Sequence, residues 1–269
     1  MKSRYLAPSF ALFLFAGSAI ADSYECIWPI KIDPATWNPE LLLRWDSPSI
    51  QLDPVTGEVL RWVNDGTLST TGEPFDPFAD YMTSLAAPAP VWAGDAVSFT
   101  GAQWFPWGPY WSNMMGDGFT IVAAFEANSI DDWRTHGIGF WTDIYGAFEL
   151  QITSTAARPA GVGVFIWDAY SSDGSPASIW FYQDVDVLLG VPHVIAVIHT
   201  GTVLWLKIDN NPWTSTPAGL PYFQDRTILG DGHWGEFDGK IYNAVIKAEA
   251  RTQEEAEGVM AFYAGPLGQ

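Results

Sequence analysis

Two carboxylates, Glu236 and Asp238, stand two residues apart in "GEFDGKIYNAVI", residues 235–246. On an extended strand, side chains two apart point to the same face. Two acids facing one way could cleave a glycosidic bond, one as nucleophile and one as proton donor, about 5 Å apart in the retaining case. The same segment also reads as an acidic turn running into a closing strand. Gly235 and Gly239 flank the pair, and glycine weakens a strand interior, so the residues favour a turn.

Other reactive residue types do not assemble into a site. His193 and His199 lie six apart in "HVIAVIH", about 20 Å along one strand at roughly 3.3 Å per residue, too far for one metal ion. His136 and His233 stand alone in glycine-rich segments and read as turn or surface residues. Cys26 is the single cysteine, which excludes an internal disulfide and a multi-cysteine metal site. No nucleophile elbow and no phosphate-binding loop is present. Asp209, Asn210 and Asn211, together with Asp231 and Asp238, offer oxygens of the kind calcium takes. Turn geometry already accounts for Asn-Asn-Pro, so no cofactor is expected.

The densest chemistry is aromatic. In "QWFPWGPYWSNMMGDG", residues 103–118, Trp104, Phe105, Trp107, Tyr110 and Trp111 fall within eight residues together with Pro106 and Pro109. Read as a stiff loop, the segment presents rings at low entropic cost. Such rings stack on sugars or anchor a protein partner; the alternative is that they plug one end of a core. Trp104, Trp107, Tyr110 and Trp111 are the candidate ligand-binding residues. Trp213 and Trp234, near other loops, carry the same two readings.

The elements that would hold these residues follow from composition. The chain has 269 residues, 48% hydrophobic and 15% aromatic, with 15 Trp, 25 Gly and 19 Pro, which suits one large domain of short strands and tight turns. Twelve Lys and Arg against 31 Asp and Glu give a formal charge of -19 with no basic run. Nucleic acid and anionic membrane surfaces are therefore poor partners. Residues 1–21 combine a basic start, an apolar stretch and "AIA" before Asp22, the pattern of a secretory signal, with a retained N-terminal arm as the alternative. The apolar run is short and broken by Pro8, so no membrane span is expected in the mature chain. Residues 22–36 read as a connecting segment and 37–269 as the domain.

Strand-like segments recur along that domain: "ELLLRWD", "GEVLRWVND", "DAVSFTG", "DGFTIVAAFEA", "THGIGFWTD", "AFELQITST", "GVGVFIWDA", "ASIWFYQD", "PHVIAVIHTG", "TVLWLKID", "RTILG" and "GKIYNAVIKAEA". They are rich in β-branched and aromatic residues and bounded by Gly, Pro, Asn or Asp. "LWLKIDNNPW" alternates Leu204, Leu206 and Ile208 against Trp205, Lys207 and Asp209, then breaks into a turn. One helix is expected, "TQEEAEGVMAFYAGP", with Thr252 and Glu255 at capping-box spacing, Gly265 and Pro266 as its stop, and Val259, Met260 and Tyr263 facing the core. The expected fold is all-β, a two-sheet antiparallel jelly-roll sandwich with a short C-terminal helix.

"NPELLLRWDSPSIQLDPVTGEVLRWVNDG", "GDAVSFTG", "GFTIVAAFEA", "LWLKIDNNP" and "LGDGHWGEFDGKIYNAVIKAEARTQEEAEGVMAFYA" resemble, in that order, the successive core strands and C-terminal signature of laminin-G-like domains of the concanavalin A-like lectin/glucanase superfamily. The resemblance covers roughly residues 37–265. It implies the jelly roll but no single function, since lectins, adhesion modules, virion proteins and hydrolases share it. Hydrolases of the laminarinase type in that superfamily carry E-x-D-x-x-E on one strand. Glu236 and Asp238 match its first two positions, but the third falls on Ile241, preceded by Lys240. The expectation is a non-catalytic recognition or structural module, secreted or on a virion surface. Its partner would be a glycan or a protein, with a homo-oligomer or virion assembly as one setting. A secreted polysaccharide hydrolase or lyase is the alternative.

Overall fold

The computed structural model describes residues 30–44, 46–47, 50–67, 81–83, 89–100, 105–107, 118–129, 136–142, 148–155, 158–170, 176–183, 187–219, 227–229 and 237–268. A 3-10 turn at Pro34–Trp37 precedes the strands. These are β1 (Leu41–Arg44), β2 (Gln51–Leu52), β3 (Val59–Val63), β4 (Tyr81–Thr83), β5 (Val91–Trp92), β6 (Val97–Thr100), β7 (Phe105–Trp107), β8 (Phe119–Ala127) and β9 (His136–Thr142). There follow β10 (Phe148–Thr155), β11 (Arg158–Tyr170), β12 (Pro176–Gln183), β13 (Pro192–His199), β14 (Val203–Ile208), β15 (Thr214–Pro217), β16 (Thr227–Leu229), β17 (Asp238–Lys247) and the helix α1 (Gln253–Ala264).

An eight-stranded sheet runs β15-β14-β13-β8-β17-β6-β5, with β1 also on β17. A six-stranded sheet runs β12-β11-β10-β9-β16-β7, and β2, β3 and β4 form a small third sheet. The strand pairings are antiparallel, so the chain is the two-sheet antiparallel sandwich expected, with a three-stranded addition. No helix among the described residues is long and apolar enough to cross a membrane.

Strand β8 shows why the sandwich closes. All nine of its residues are buried. Phe119, Ile121, Ala123, Phe125 and Ala127 join Phe99, Leu150, Ile195, Leu206, Ile241 and Ile246 in the main core. Val122 and Ala124, on the opposite face, join Val194, Ala196, Ile198 and Val245 beneath α1, where Val259, Met260 and Tyr263 are also buried. A central strand covered on both faces reads as a nearly continuous apolar run, as this one does. Fully burying each large apolar side chain contributes about 1.5–3 kcal/mol. The alternation in β14 is equally direct: Leu204, Leu206 and Ile208 are buried, and the residues between them are half-exposed.

The helix begins as its sequence dictates. The Glu255 amide donates to Thr252 Oγ1 at 3.2 Å, and the Thr252 amide donates to Glu255 Oε2 at 2.9 Å, closing the capping box. Gly265 caps the far end, its amide bonded to the Ala261 carbonyl.

Each of the twelve expected segments contributes a strand, and β2, β4, β5, β7 and β15 are additional. Three expectations need correction. Residues 105–107, read as part of a loop, form β7, with Pro106 opposite Ile228 of β16. Proline lacks an amide donor and belongs on an edge strand, and β7 is the edge of its sheet. His136 is not in a turn; it opens β9 opposite Ile152. Gly239 does not mark a turn either. It lies within β17, where a Cβ would collide with the Glu126 carbonyl of β8.

Candidate functional site

The sequence-expected aromatic site lies at one edge of the six-stranded sheet. Trp107 belongs to β7 and pairs with Thr227, Pro106 with Ile228 and Phe105 with Leu229. β16 in turn pairs with β9, Thr227 opposite Thr142. The segment is thus tied to the sandwich by backbone bonds at its first third. Trp104, Tyr110 and Trp111 lie outside the described residues, as do Glu236, Asp231, His233, Trp234 and Cys26.

Asp238 has a structural position. It opens β17, and its Oδ1 and Oδ2 accept from Asn128 Nδ2 at 3.1 Å and Ser129 Oγ at 2.8 Å, while its carbonyl accepts the Asn128 amide. The carboxylate closes the end of β8 against the start of β17.

The proposed calcium oxygens at the β14–β15 turn are committed in the same way. Asp209 sits at φ +48, a left-handed conformation that Asp tolerates in turns. Its Oδ1 accepts the Val194 amide at 2.8 Å, and its Oδ2 accepts from His193 Nδ1 at 2.7 Å. Asn211 Nδ2 donates to the Ile208 carbonyl. No group of three metal-ligating side chains occurs among the described residues. Trp213 is likewise pinned, its Nε1 donating to Glu257 Oε1 of α1 at 2.8 Å beside Lys207 Nζ at 2.7 Å.

His199 is fully buried at the end of β13 and stacks on Phe119, ring centroids 5.4 Å apart. Its Nδ1 accepts the Gly201 amide and its Nε2 donates to the Gly219 carbonyl, both at 2.9 Å, which fixes one neutral tautomer. Burial lowers its pKa to about 4, against a smaller opposite effect of the Gly219 bond.

Sequence reasoning missed the most buried acid of the eight-stranded sheet. Glu126, the only charged residue of β8, is 8% exposed. Tyr242 Oη donates to its Oε2 at 2.6 Å and Lys240 Nζ to its Oε1 at 3.0 Å. Burial pushes the carboxyl up, but the Tyr242 and Lys240 bonds and the lysine charge outweigh that, and its pKa is lowered. Burial and the Glu126 carboxylate push the Tyr242 phenol up, so it remains a donor. A signal existed: a lone acid in an apolar central strand requires a partner. The partners lie more than a hundred residues away, where a local pattern does not reach.

The sequence matches no family model and no curated protein. Among solved structures, the chain is similar to domain 4 of AbnA, an extracellular GH43 arabinanase from Geobacillus stearothermophilus, in complex with arabinotriose. The identity is 12%, the TM-score 0.53, and the match covers 82% of this chain and 98% of that one. It is also similar to the binding domain of botulinum neurotoxin DC in complex with SialylT, at 9% identity and TM-score 0.52, over 84% of this chain and 51% of that one. At these identities the likeness defines the class as a β-sandwich and goes no further.

Proposed function

We propose that the chain is a glycan-recognition module that binds its ligand without cleaving it, through the aromatics of residues 104–111. The observation that carries this is the pairing of Phe105–Trp107 onto the outermost position of the six-stranded sheet. Among the described residues β16 is the one strand paired with β7, and Trp104, Tyr110 and Trp111 flank β7 closely in sequence. The backbone pairing supplies rigidity, and aromatic faces supply stacking area for sugar rings. Two sandwich domains of similar fold, solved with arabinotriose and with SialylT, support a glycan over a protein as the ligand class.

The finer placement we propose is the laminin-G-like branch of the concanavalin A-like superfamily, on the order of the motifs from residues 37 to 265. The setting we propose is outside the cytoplasm, secreted or on a virion surface, which the basic and apolar pattern of residues 1–21 supports. The non-catalytic role rests on Asp238, whose oxygens serve Asn128 and Ser129, and on Ile241, which stands where a third acid would be needed. The test is incubation of a bound glycan with wild-type protein and with Glu236→Gln/Asp238→Asn, reading released reducing ends. No release from either is expected. Release by the wild type that the double variant loses, with folding intact, would make the chain an enzyme.

A further inference from the structure

His193 is the second residue of β13 and is 5% exposed. Its ring is held by two contacts. Nδ1 bonds Asp209 Oδ2 at 2.7 Å, and the Phe125 ring of β8 lies against the imidazole, centroids 5.8 Å apart. Asp209 is itself clamped to β13: its Oδ1 accepts the Val194 amide, and its own amide donates to the Val194 carbonyl, both at 2.8 Å. A carboxylate only accepts, so the proton of the neutral ring sits on Nδ1 and Nε2 carries a lone pair.

That lone pair faces the segment Val187–Val191, which leads into β13. The Leu188 amide donates to Nε2 at 3.1 Å, and the Leu188 carbonyl lies 3.3 Å from the same nitrogen. These two groups belong to successive peptide units. With Nε2 unprotonated, the amide is bonded and the carbonyl faces a lone pair. With Nε2 protonated, the amide faces another donor and the carbonyl becomes the acceptor. Histidine is the side chain suited to make that exchange near neutral pH. Asp209 and Phe125 keep the ring in place, so the adjustment falls on the segment.

The segment is anchored at both ends. Val187 is buried in the main core, and the Gly190 amide bonds the Ala127 carbonyl at 2.8 Å. Between and beside these anchors, Leu188, Leu189 and Val191 are exposed, so a change at the Leu188 peptides re-aims an apolar tip. Among the described residues, Asp209 is the charged group bonded to the ring. The other charged groups on the elements around it are engaged elsewhere: Glu126 with Tyr242 and Lys240, Asp238 with Asn128 and Ser129, Lys207 with Glu257.

We propose that protonation of His193 transfers its Nε2 bond from the Leu188 amide to the Leu188 carbonyl and so re-aims the exposed Leu188 and Leu189: a pH-sensitive catch on the connection into β13. The catch stands apart from glycan binding at the β7 edge, and its test contains no ligand.

The experiment is an NMR pH series on the full chain, from about pH 8 to about pH 4.5. It follows the His193 imidazole nitrogens, the backbone shifts of residues 188–190, and the Leu188 amide protection factor, taken against the intrinsic exchange rate at each pH. The neutral ring should be the Nδ1–H tautomer. Leu188, Leu189 and Gly190 shifts should move with the midpoint of the His193 titration, and Leu188 protection should fall about tenfold, the scale of one lost hydrogen bond. His193→Gln should abolish the co-titration. Asp209→Asn keeps an oxygen for the Val194 amide and turns a donor toward Nδ1, which forces the proton to Nε2. Leu188 should then be unprotected already at neutral pH, a readout that stands even where the glutamine variant does not fold. The inference is overturned if the neutral wild-type ring is the Nε2–H tautomer, if His193 does not titrate while the chain stays folded, if it titrates with Leu188 protection unchanged, or if Asp209→Asn leaves that protection as in the wild type.

Discussion

Tyr242 Oη lies 2.6 Å from Glu126 Oε2, between residues 116 apart in sequence, and the contact falls where β17 changes partners. Before it, Asp238–Ile241 pair with β6; after it, Asn243–Ile246 pair with β1. Against β8 the register shifts between Ile241 and Asn243, leaving Tyr242 as the extra residue of a bulge. The bulge re-aims the tyrosine toward the acid, and Lys240 completes the pair of donors. Removing the phenol with Tyr242→Phe should cost about 2 kcal/mol, the scale of a hydrogen bond to a charged group, measured by urea unfolding at neutral pH.

The same contact has a pH signature. Glu126 is held below the ordinary carboxylate range in the folded chain, so the folded state resists its protonation. Its stabilisation is complete above the unfolded value of about 4.3 and is lost as pH falls through the lower folded value. Glu126→Gln should remove that part of the acid sensitivity while lowering stability at neutral pH. An unchanged acid limb in the variant would show that the pair carries no such linkage.

His199 acts in a higher window. Its folded pKa of about 4 lies below the unfolded value near 6.5, so the unfolded chain takes up the proton first. Stability should be whole above about pH 6.5 and decline toward pH 4, by roughly 3 kcal/mol in all, and then level off. His199→Asn should flatten the slope across that window. Imidazole NMR resonances of the wild type should stay those of the neutral Nε2–H tautomer down to about pH 5; titration near 6.5 would contradict the buried geometry.

Gly239 marks the closest approach of β17 to β8. A Cβ there would strike the Glu126 carbonyl and lie 2.6 Å from the Phe237 ring. Backbone on one side and a buried ring on the other leave little room to give. Gly239→Ala should therefore cost about 3 kcal/mol, the upper end for overpacking, and lower the melting temperature by about 10 °C. Gly57→Ala has open space around the new methyl, so only its φ of +73 opposes it, and its loss should be smaller.

What the sequence made legible was local. The capping box at Thr252 and Glu255, the alternation of β14 and the apolar run of β8 each specify an element within a dozen residues, and each element formed. What it hid depends on partners far along the chain. Phe-Pro-Trp at 105–107 reads as loop because proline breaks a strand unless the strand is an edge, and the edge is defined only by β16 more than a hundred residues later. Gly239 reads as a turn for the same reason: its necessity comes from the Glu126 carbonyl, not from its neighbours. Of the candidate site, only the backbone of residues 105–107 falls within the described residues, and β7 is where it sits.

The most direct test of glycan recognition at the β7 edge combines affinity and stability on one variant. A glycan array of neutral and sialylated oligosaccharides, arabinotriose included, identifies a ligand, and calorimetric titration then compares the wild type with Trp107→Ala/Tyr110→Ala. Loss of two stacking rings should weaken binding at least tenfold, about 1.4 kcal/mol or more, with little change in melting temperature. The account is contradicted if no glycan binds, or if the variant retains full affinity while losing about 3–5 kcal/mol of stability per ring, as core aromatics would.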